Sequence, residues 1–437
     1  MSGRSGLLLV LWASLLLRSA VAEEVVLRGA TVHTAAGSVL APGDVRIKDG
    51  AILELGARIE AGGARVVDLS GLHLYPGLIA ADCSLGLSEI GSVRASQDTA
   101  EVGDYSPDVD SWVAVNPDSE LIPVARANGI THALVAPEGG TVAGRSALIA
   151  LRGWTWEEMV VRAPAALHIN WPSMALDVTP REEGKGKGKK ESKSLEEQAE
   201  LRRAKLLELD TFFQEARAYW DARLASRNGA REPMRHPAWE AMRGAVLGET
   251  PVIVHAHGVR EITAAVEWAG RRGLSLVIAG GRDAWRVAGL LAEKQVPVLL
   301  ETVMEVPARD YDPHDANFRA PEVLRQAGVL FALSPSPGTW SVWDLRNLPL
   351  RAAFARAHGL PEEDALASIT RNPAIILGVG DRLGTIEAGK EASLFAADGD
   401  ILDVRTRVVR VWIAGAETSL ETRHTRLYEK YRGRPTK

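Results

Sequence analysis

Residues 252–302 read VIVHAHGVREITAAVEWAGRRGLSLVIAGGRDAWRVAGLLAEKQVPVLLET. Three apolar runs in this stretch, at 252–257, 274–279 and 296–302, are short and rich in Val, Ile and Leu, the composition of strands buried on both faces. Between the first two, Ile262, Ala265, Val266 and Ala269 recur at helical spacing across 259–270, and 283–293 repeats the pattern before the third. Strand, helix and strand in alternation predict parallel pairing, because parallel neighbours need a crossover that a helix supplies.

Working outward, further β-rich runs stand at 131–136, 165–169 and 329–334. The pattern by itself allows either a closed (β/α)8 barrel or an open doubly wound sheet. One stretch interrupts it. Residues 181–194 carry nine charged side chains and no apolar one, so they read as a solvated loop. An amphipathic helix follows at 195–226, with Leu195, Ala199, Leu206, Leu209, Phe213, Ala216, Trp220 and Leu224 along about one face. Short strands are predicted at both ends of the chain: 25–27, 31–33, 45–47, 51–55 and 65–68, then 384–386, 393–396, 408–413 and 415–417. Asp49-Gly50 is a hairpin signal among the first group. Two β segments bracketing a long middle suggest one small sheet domain assembled from both termini.

The 437 residues are 46% hydrophobic and 24% charged, with 51 Lys+Arg against 56 Asp+Glu. A pI near 6.1 and the lack of a basic domain exclude a nucleic-acid protein. A single cysteine, Cys83, rules out an intramolecular disulfide, a Cys-rich zinc site and an iron–sulfur cluster. Any transition metal would therefore fall to the carboxylates and the ten histidines. At the N-terminus, Arg4, the apolar run 7–17 and Ala20-Val21-Ala22 read as a cleavable signal over residues 1–22. The alternative is an uncleaved anchor, although the run is short for a span. The expectation is an exported protein, periplasmic or extracellular, with no membrane span once the signal is removed.

Several segments together resemble the metal-dependent amidohydrolase superfamily, especially its imidazolonepropionase-like branch. They are VDLSGLHLYPGLI at 67–79, VHAHG at 254–258, ALASITRNPAIILG at 365–378 and DRLGTIEAGKEASL at 381–394. The likeness runs from about 25 to 415. It implies a (β/α)8 TIM-type barrel over 75–379, carrying the insertion 181–226, and a composite β-sandwich from 23–74 and 380–420, with 421–437 as a tail. It also implies hydrolysis of a non-peptide C–N bond by one or two divalent ions, which acidify a water and polarise a carbonyl. In that family a His-x-His pair on strand one, a His on each of strands five and six, and an Asp on strand eight hold the metal, joined in some members by a carboxylated Lys on strand four.

Laid on this chain, the pattern finds Asp82, Cys83 and Ser84 where the His-x-His should be. His255 fills the strand-five position, Gly280 stands near the strand-six position and Ser336 takes the strand-eight one. No lysine lies on the expected fourth strand. The candidate pocket is thus Asp82, Ser84, His255, His257 and Ser336, with Glu301 as a further carboxylate. His255 and His257, two apart on a strand, point to one face, but two imidazoles alone make a weak site. No cofactor is predicted; Zn²⁺ or another divalent ion, if one binds, would use His255. Cys83 should face away from the mouth as an inert thiol. The loop 137–144 reads equally as a mouth lining or a plain turn, and Gly144-Arg145-Ser146-Ala147-Leu148 lacks the second glycine of a nucleophile elbow.

Two readings follow. One is an exported C–N hydrolase of amidohydrolase type whose standard metal centre is largely missing. The other is a catalytically inactive barrel acting as a binding or scaffold protein. Either could take a small-molecule ligand, and some of the twelve tryptophans could rim its pocket or a homo-oligomer contact.

Overall fold

The computed structural model describes residues 24–178, 193–229, 231–338 and 341–435. The expected export signal and nearly all of the charged loop lie outside the described residues. The N-terminal segment forms β1 (Val25–His33), β2 (Val39–Lys48), β3 (Ala51–Gly56), β4 (Arg65–Asp68) and β5 (His73–Pro76). The middle supplies β6 (Leu78–Cys83), β7 (Ile130–Val135), β8 (Val142–Ala150), β9 (Val160–Asn170), β10 (Val252–Ala256), β11 (Leu276–Gly280), β12 (Val298–Leu300) and β13 (Phe331–Leu333). The C-terminal segment adds β14 (Leu394–Ala397), β15 (Val408–Ile413) and β16 (Ala416–Thr418).

The two end segments do combine. They form one eight-stranded sheet in the order β16-β15-β14-β5-β1-β2-β3, with β4 branching from β1. The branch arises because the first half of β1 pairs with β4 and the second half with β5. The sheet wraps a core that includes Leu27, Val45, Ile47, Leu74, Leu394 and Trp412. Asp49 and Gly50 make the turn between β2 and β3, with φ of 51° and 81°, both in the left-handed region that a tight hairpin requires.

The second sheet has the order β13-β12-β11-β10-β9-β8-β7-β6 and is nearly closed into a barrel. Its seam is stitched by a neighbouring turn, with the Leu333 N–H donating to Ser368 O at 2.9 Å and the Ile79 N–H to Ile369 O at 3.0 Å. The expectation of eight parallel β/α units needs correction at one strand. β8 runs antiparallel to both β7 and β9, because the six residues between β7 and β8 form a hairpin connection too short for a crossover helix. The segment between β6 and β7 folds over this hairpin, with Ser106 N–H donating to Val142 O at 2.8 Å and Arg145 Nη2 reaching Asp110 Oδ1 at 2.7 Å.

A helix at Leu195–Ser226 follows the charged loop, opened by a capping box in which Ser194 and Glu197 satisfy each other's backbone N–H. Its buried face is Leu209, Phe213, Ala216, Tyr219 and Trp220. Leu195, expected on that face, is exposed.

The barrel interior decides where a site can form. Ile79, Ala81, Leu134, Leu148, Ala166, Ile253, Ala279, Leu299 and Ala332, contributed by all eight strands, fill the lumen. Ala374, Ile376, Leu377, Val379 and Leu383 close it below. Side chains alternate along a strand, so the residue two places beyond each plug residue also faces the lumen, one layer higher. Those positions are polar on β9, β10, β12 and β13, whereas β7 and β11 carry Ala136 and Gly281 there.

Candidate metal centre

The upper layer can be read directly from the plug. Two residues past Ala166, Ile253, Leu299 and Ala332 stand His168, His255, Glu301 and Ser334. On the antiparallel strand the same step runs backward, from Leu148 to Ser146. The first strand reaches this layer with Asp82. Pairing of β6 with β7 slips between Ala80 and Cys83, and such a bulge re-aims the side chains beside it. Asp82 therefore faces the lumen, while Cys83 packs in the core outside the barrel and its Sγ donates to Leu134 O at 3.4 Å. Burial pushes the Cys83 thiol up to about 12, so the sequence reading of an inert cysteine agrees with its surroundings.

Asp82, His168 and His255 each present a ligand atom within 4.8 Å of the others. Asp82 Oδ2 lies 3.7 Å from His255 Nδ1, and His255 Nε2 is 3.0 Å from His168 Nδ1. His168 Nε2 is 2.8 Å from Ser146 Oγ, whose hydroxyl points to Ala166 O at 3.4 Å. Assigned from this network, the Ser146 hydroxyl donates to the carbonyl and accepts from His168 Nε2–H. Without an ion His168 Nδ1 accepts from His255 Nε2–H and His255 Nδ1 keeps a bare lone pair toward Asp82; for His168 to ligate as well, its Nδ1 would exchange that hydrogen bond for the ion. Burial and the adjacent His255 hold His168 well below its usual range, and burial and His257 lower His255 to about 4. Both imidazoles are neutral at physiological pH, the form that ligates metals.

The carboxylates carry the opposite signature. Asp82 is fully buried, and neither oxygen has a hydrogen-bond partner. Burial, then Glu301 and Glu138, push it well above the carboxylate range. Glu301 is raised to about 8 by burial and by Glu305, against the counter-effects of Arg351, the Gly280 N–H and the Ser336 hydroxyl. Its Oε1 is buried and unpaired. An unpartnered buried carboxylate is costly, and among the described residues no side-chain cation offsets it at Asp82. A divalent ion would. The 3.7 Å gap between Asp82 Oδ2 and His255 Nδ1 suits two ligand bonds of about 2.0–2.2 Å meeting at one ion. The residues present therefore fit a metal.

Not every expected residue joins this triad. Ser84 Oγ donates to Glu138 at 2.5 Å and accepts from the Gly338 N–H at 3.1 Å, tying three mouth loops together. Ser336 faces Glu301. His257 lies outside the group of three, its ring packed against Gly280. The loop after β7 does line the mouth, through Glu138 and through the Gly139 and Gly140 carbonyls that Asn170 Nδ2 bonds at 3.2 and 2.9 Å. The sequence paired His255 with His257 and with the carboxylates of Asp82 and Glu301; in the structure it is His168, not His257, that stands with His255 and Asp82. Its signal in the sequence was slight: a histidine two residues past Ala166 in an apolar run, on a strand whose register with β10 sets His168 opposite Ile253.

The fold and the site together define a barrel with a histidine–carboxylate centre at the C-terminal ends of its strands, where barrel enzymes place their chemistry. Comparison with known proteins agrees with that class. The amidohydrolase family profile matches residues 338–418. The amidohydrolase tasK of Hapsidospora irregularis is 24% identical over 395 residues, covering 85% of this chain and 39% of that protein. The imidazolonepropionase of Rhizobium meliloti is 33% identical over 147 residues, a third of each chain at 33%. The matches thus span well under half of these two relatives. A crystal structure of an amidohydrolase from Thermotoga maritima superposes with a TM-score of 0.78 at 27% identity, covering 90% of this chain and 99% of that one. Over most of its length the chain is thus similar to amidohydrolases, at 24% and 27% identity.

Proposed function

We propose that the protein is a hydrolase of amidohydrolase type, acting on a non-peptide C–N bond with a divalent ion held by Asp82, His168 and His255. The observation that carries this reading is Asp82, a fully buried carboxylate with two unpartnered oxygens beside two neutral imidazoles. When bound, such an ion acidifies a water and polarises the carbonyl that the water attacks.

The chain's own residues supply the rest. Ser146, 2.8 Å from His168 Nε2, fixes the His168 ring through its far nitrogen, as supporting partners of a metal-ligating histidine do, and leaves His168 Nδ1 to face the ion. The His255 side chain keeps 12% exposure while Asp82 keeps none, so substrate reaches the centre past His255. Glu301, with one unpaired oxygen, is the carboxyl placed to hold a proton for the departing nitrogen. The apolar plug beneath excludes water from the floor.

Purified protein stripped with a chelator and reloaded with Zn²⁺ or Mn²⁺ tests the proposal on a panel of cyclic imides, ureides and N-acyl amino acids. Turnover that vanishes on chelation and in Asp82→Asn supports it. A protein that takes up no metal and turns over none of the panel supports the binding or scaffold reading instead. We also propose export, on the strength of residues 1–22; mass analysis of the protein secreted by its host should find a new N-terminus near Ala22.

A further inference from the structure

At the end of the barrel away from the triad, a groove of about 960 Å³ opens at the starts of β10 to β13. Its sides are the last turn of the helix Val259–Arg272, the helix Ala288–Glu293 and the helix Arg371–Ile376. The volume falls in the range of small-molecule sites, about 300–1,000 Å³. Leu274, Leu290 and Leu330 line it and stay partly uncovered. Ile375 leaves 49% of its surface open, although Ile376 and Leu377 beside it close the barrel. None of the lining residues holds a buried, unpaired polar atom, so these walls suit an apolar body.

The charge in the groove is one-sided. Arg162, Arg271 and Lys294 line it against a single carboxylate, Glu267, in a chain whose net charge is −5. The Arg162 guanidinium is held in place: its Nη1 donates to Gly378 O at 2.5 Å, and it fills the space that a Cβ at Gly378 would need. Its other N–H groups have no carboxylate partner among the described residues. Arg271 likewise makes no ion pair there, whereas Arg272 beside it is taken by Asp210 at 2.5 Å. Lys294 pairs with its exposed neighbour Glu293 at 2.8 Å. Two guanidinium groups are therefore left to an incoming anion.

We propose that this groove binds a single-chain anionic amphiphile, a fatty acid whose chain lies on Leu274, Leu290, Leu330 and Ile375 and whose carboxylate meets the lining cations. Each methylene that the walls cover strengthens binding by up to about fourfold. The planar fork of arginine matches a carboxylate, and Glu267 limits the gain. An uncharged chain would forgo the second contribution, and a cationic one would be repelled. The groove shares no residue with the triad or its neighbours at the mouth, so the inference stands apart from the hydrolase reading.

Titration calorimetry on chelator-stripped protein, in which no ion can take a carboxylate, tests this with octanoate, decanoate and 1-decanol below micelle-forming concentrations. The wild type should bind a single decanoate, at least about fourfold more tightly than octanoate. Decanoate should also exceed 1-decanol by at least about threefold, a margin that shrinks at high salt. Ile375→Glu should lose decanoate binding, and Arg271→Glu should bring decanoate close to 1-decanol. Both side chains are exposed, so urea midpoints near that of the wild type should show that the variants fold. Wild-type binding of decanoate by Ile375→Glu, an unchanged preference in Arg271→Glu, or several decanoates per chain would overturn the inference. So would a wild-type dimer that decanoate leaves intact and Ile375→Glu splits, because the groove would then be a contact between two copies.

Discussion

Replacing Gly280 with alanine tests how the mouth is packed. Gly280 has φ of +85° and ends β11, and its missing side chain is the space in which the His257 ring sits. Two costs follow. A left-handed conformation disfavours any Cβ by about 1–2 kcal/mol. A carbon 2.4 Å from His257 Cε1 cannot be accommodated in place, and forced overpacking costs about 1–3 kcal/mol. The sum is a destabilisation of about 2–5 kcal/mol, read as a lower urea midpoint at unchanged slope. Gly270 is the control. It is exposed in the helix Val259–Arg272, and an added Cβ would meet nothing within 4 Å, so Gly270→Ala should stabilise by about 0.5–1 kcal/mol. The decisive measurement is a double-mutant cycle. In a His257→Ala background the packing cost of Gly280→Ala disappears and only the backbone cost remains, giving a coupling of about 1–3 kcal/mol. Strict additivity would show that the ring does not occupy that space.

Two further predictions concern buried ionisable groups. Glu301 is raised to about 8 in the folded chain from 4.5, so folding retains a proton that the unfolded chain releases. The Glu301 contribution to the stability of the metal-free protein should be fully present below about pH 4.5 and be lost as pH rises to about 8, by up to about 1.4 kcal/mol per pH unit. Asp82 acts in the same direction. Glu301→Gln should flatten the slope of urea midpoints between pH 5 and 8, and a slope equal to that of the wild type would contradict the assignment. Cys83 is inaccessible and its thiol is held near 12, so a disulfide reagent at pH 8 should label native protein only at the rate of unfolding. Full labelling within minutes under native conditions would place Cys83 elsewhere.

Much of this architecture was legible in the chain, for identifiable reasons. The runs at 252–257, 274–279 and 296–302 announced β10 to β12 because parallel strands are apolar on both faces and their crossover helices show a clear period. The sheet built from both ends was visible in its short strands and in Asp49-Gly50. β8 was not, because Gly144 and Arg145 interrupt its apolar run, and a hairpin inside a β/α series breaks the pattern that assigned its neighbours. Gly139 and Gly140, both at positive φ, marked a turn there without saying that a strand returned.

The site divides in the same way. Asp82 and His255 were found by position within the superfamily pattern, and they do face each other across the lumen. His168 escaped because that pattern calls for no histidine on its strand. Its role depends on register: one slip between β9 and β10 would turn it out of the barrel. The outward direction of Cys83 was anticipated from simple alternation, although a bulge in β6 is what sets it.

The most direct test of the account is crystallographic. Crystals soaked in Zn²⁺, with data collected at the zinc absorption edge, should show one strong anomalous peak within about 2.3 Å of Asp82, His168 and His255, absent in Asp82→Asn. No peak in the lumen, or a peak elsewhere with Asp82 still unpartnered, would contradict it.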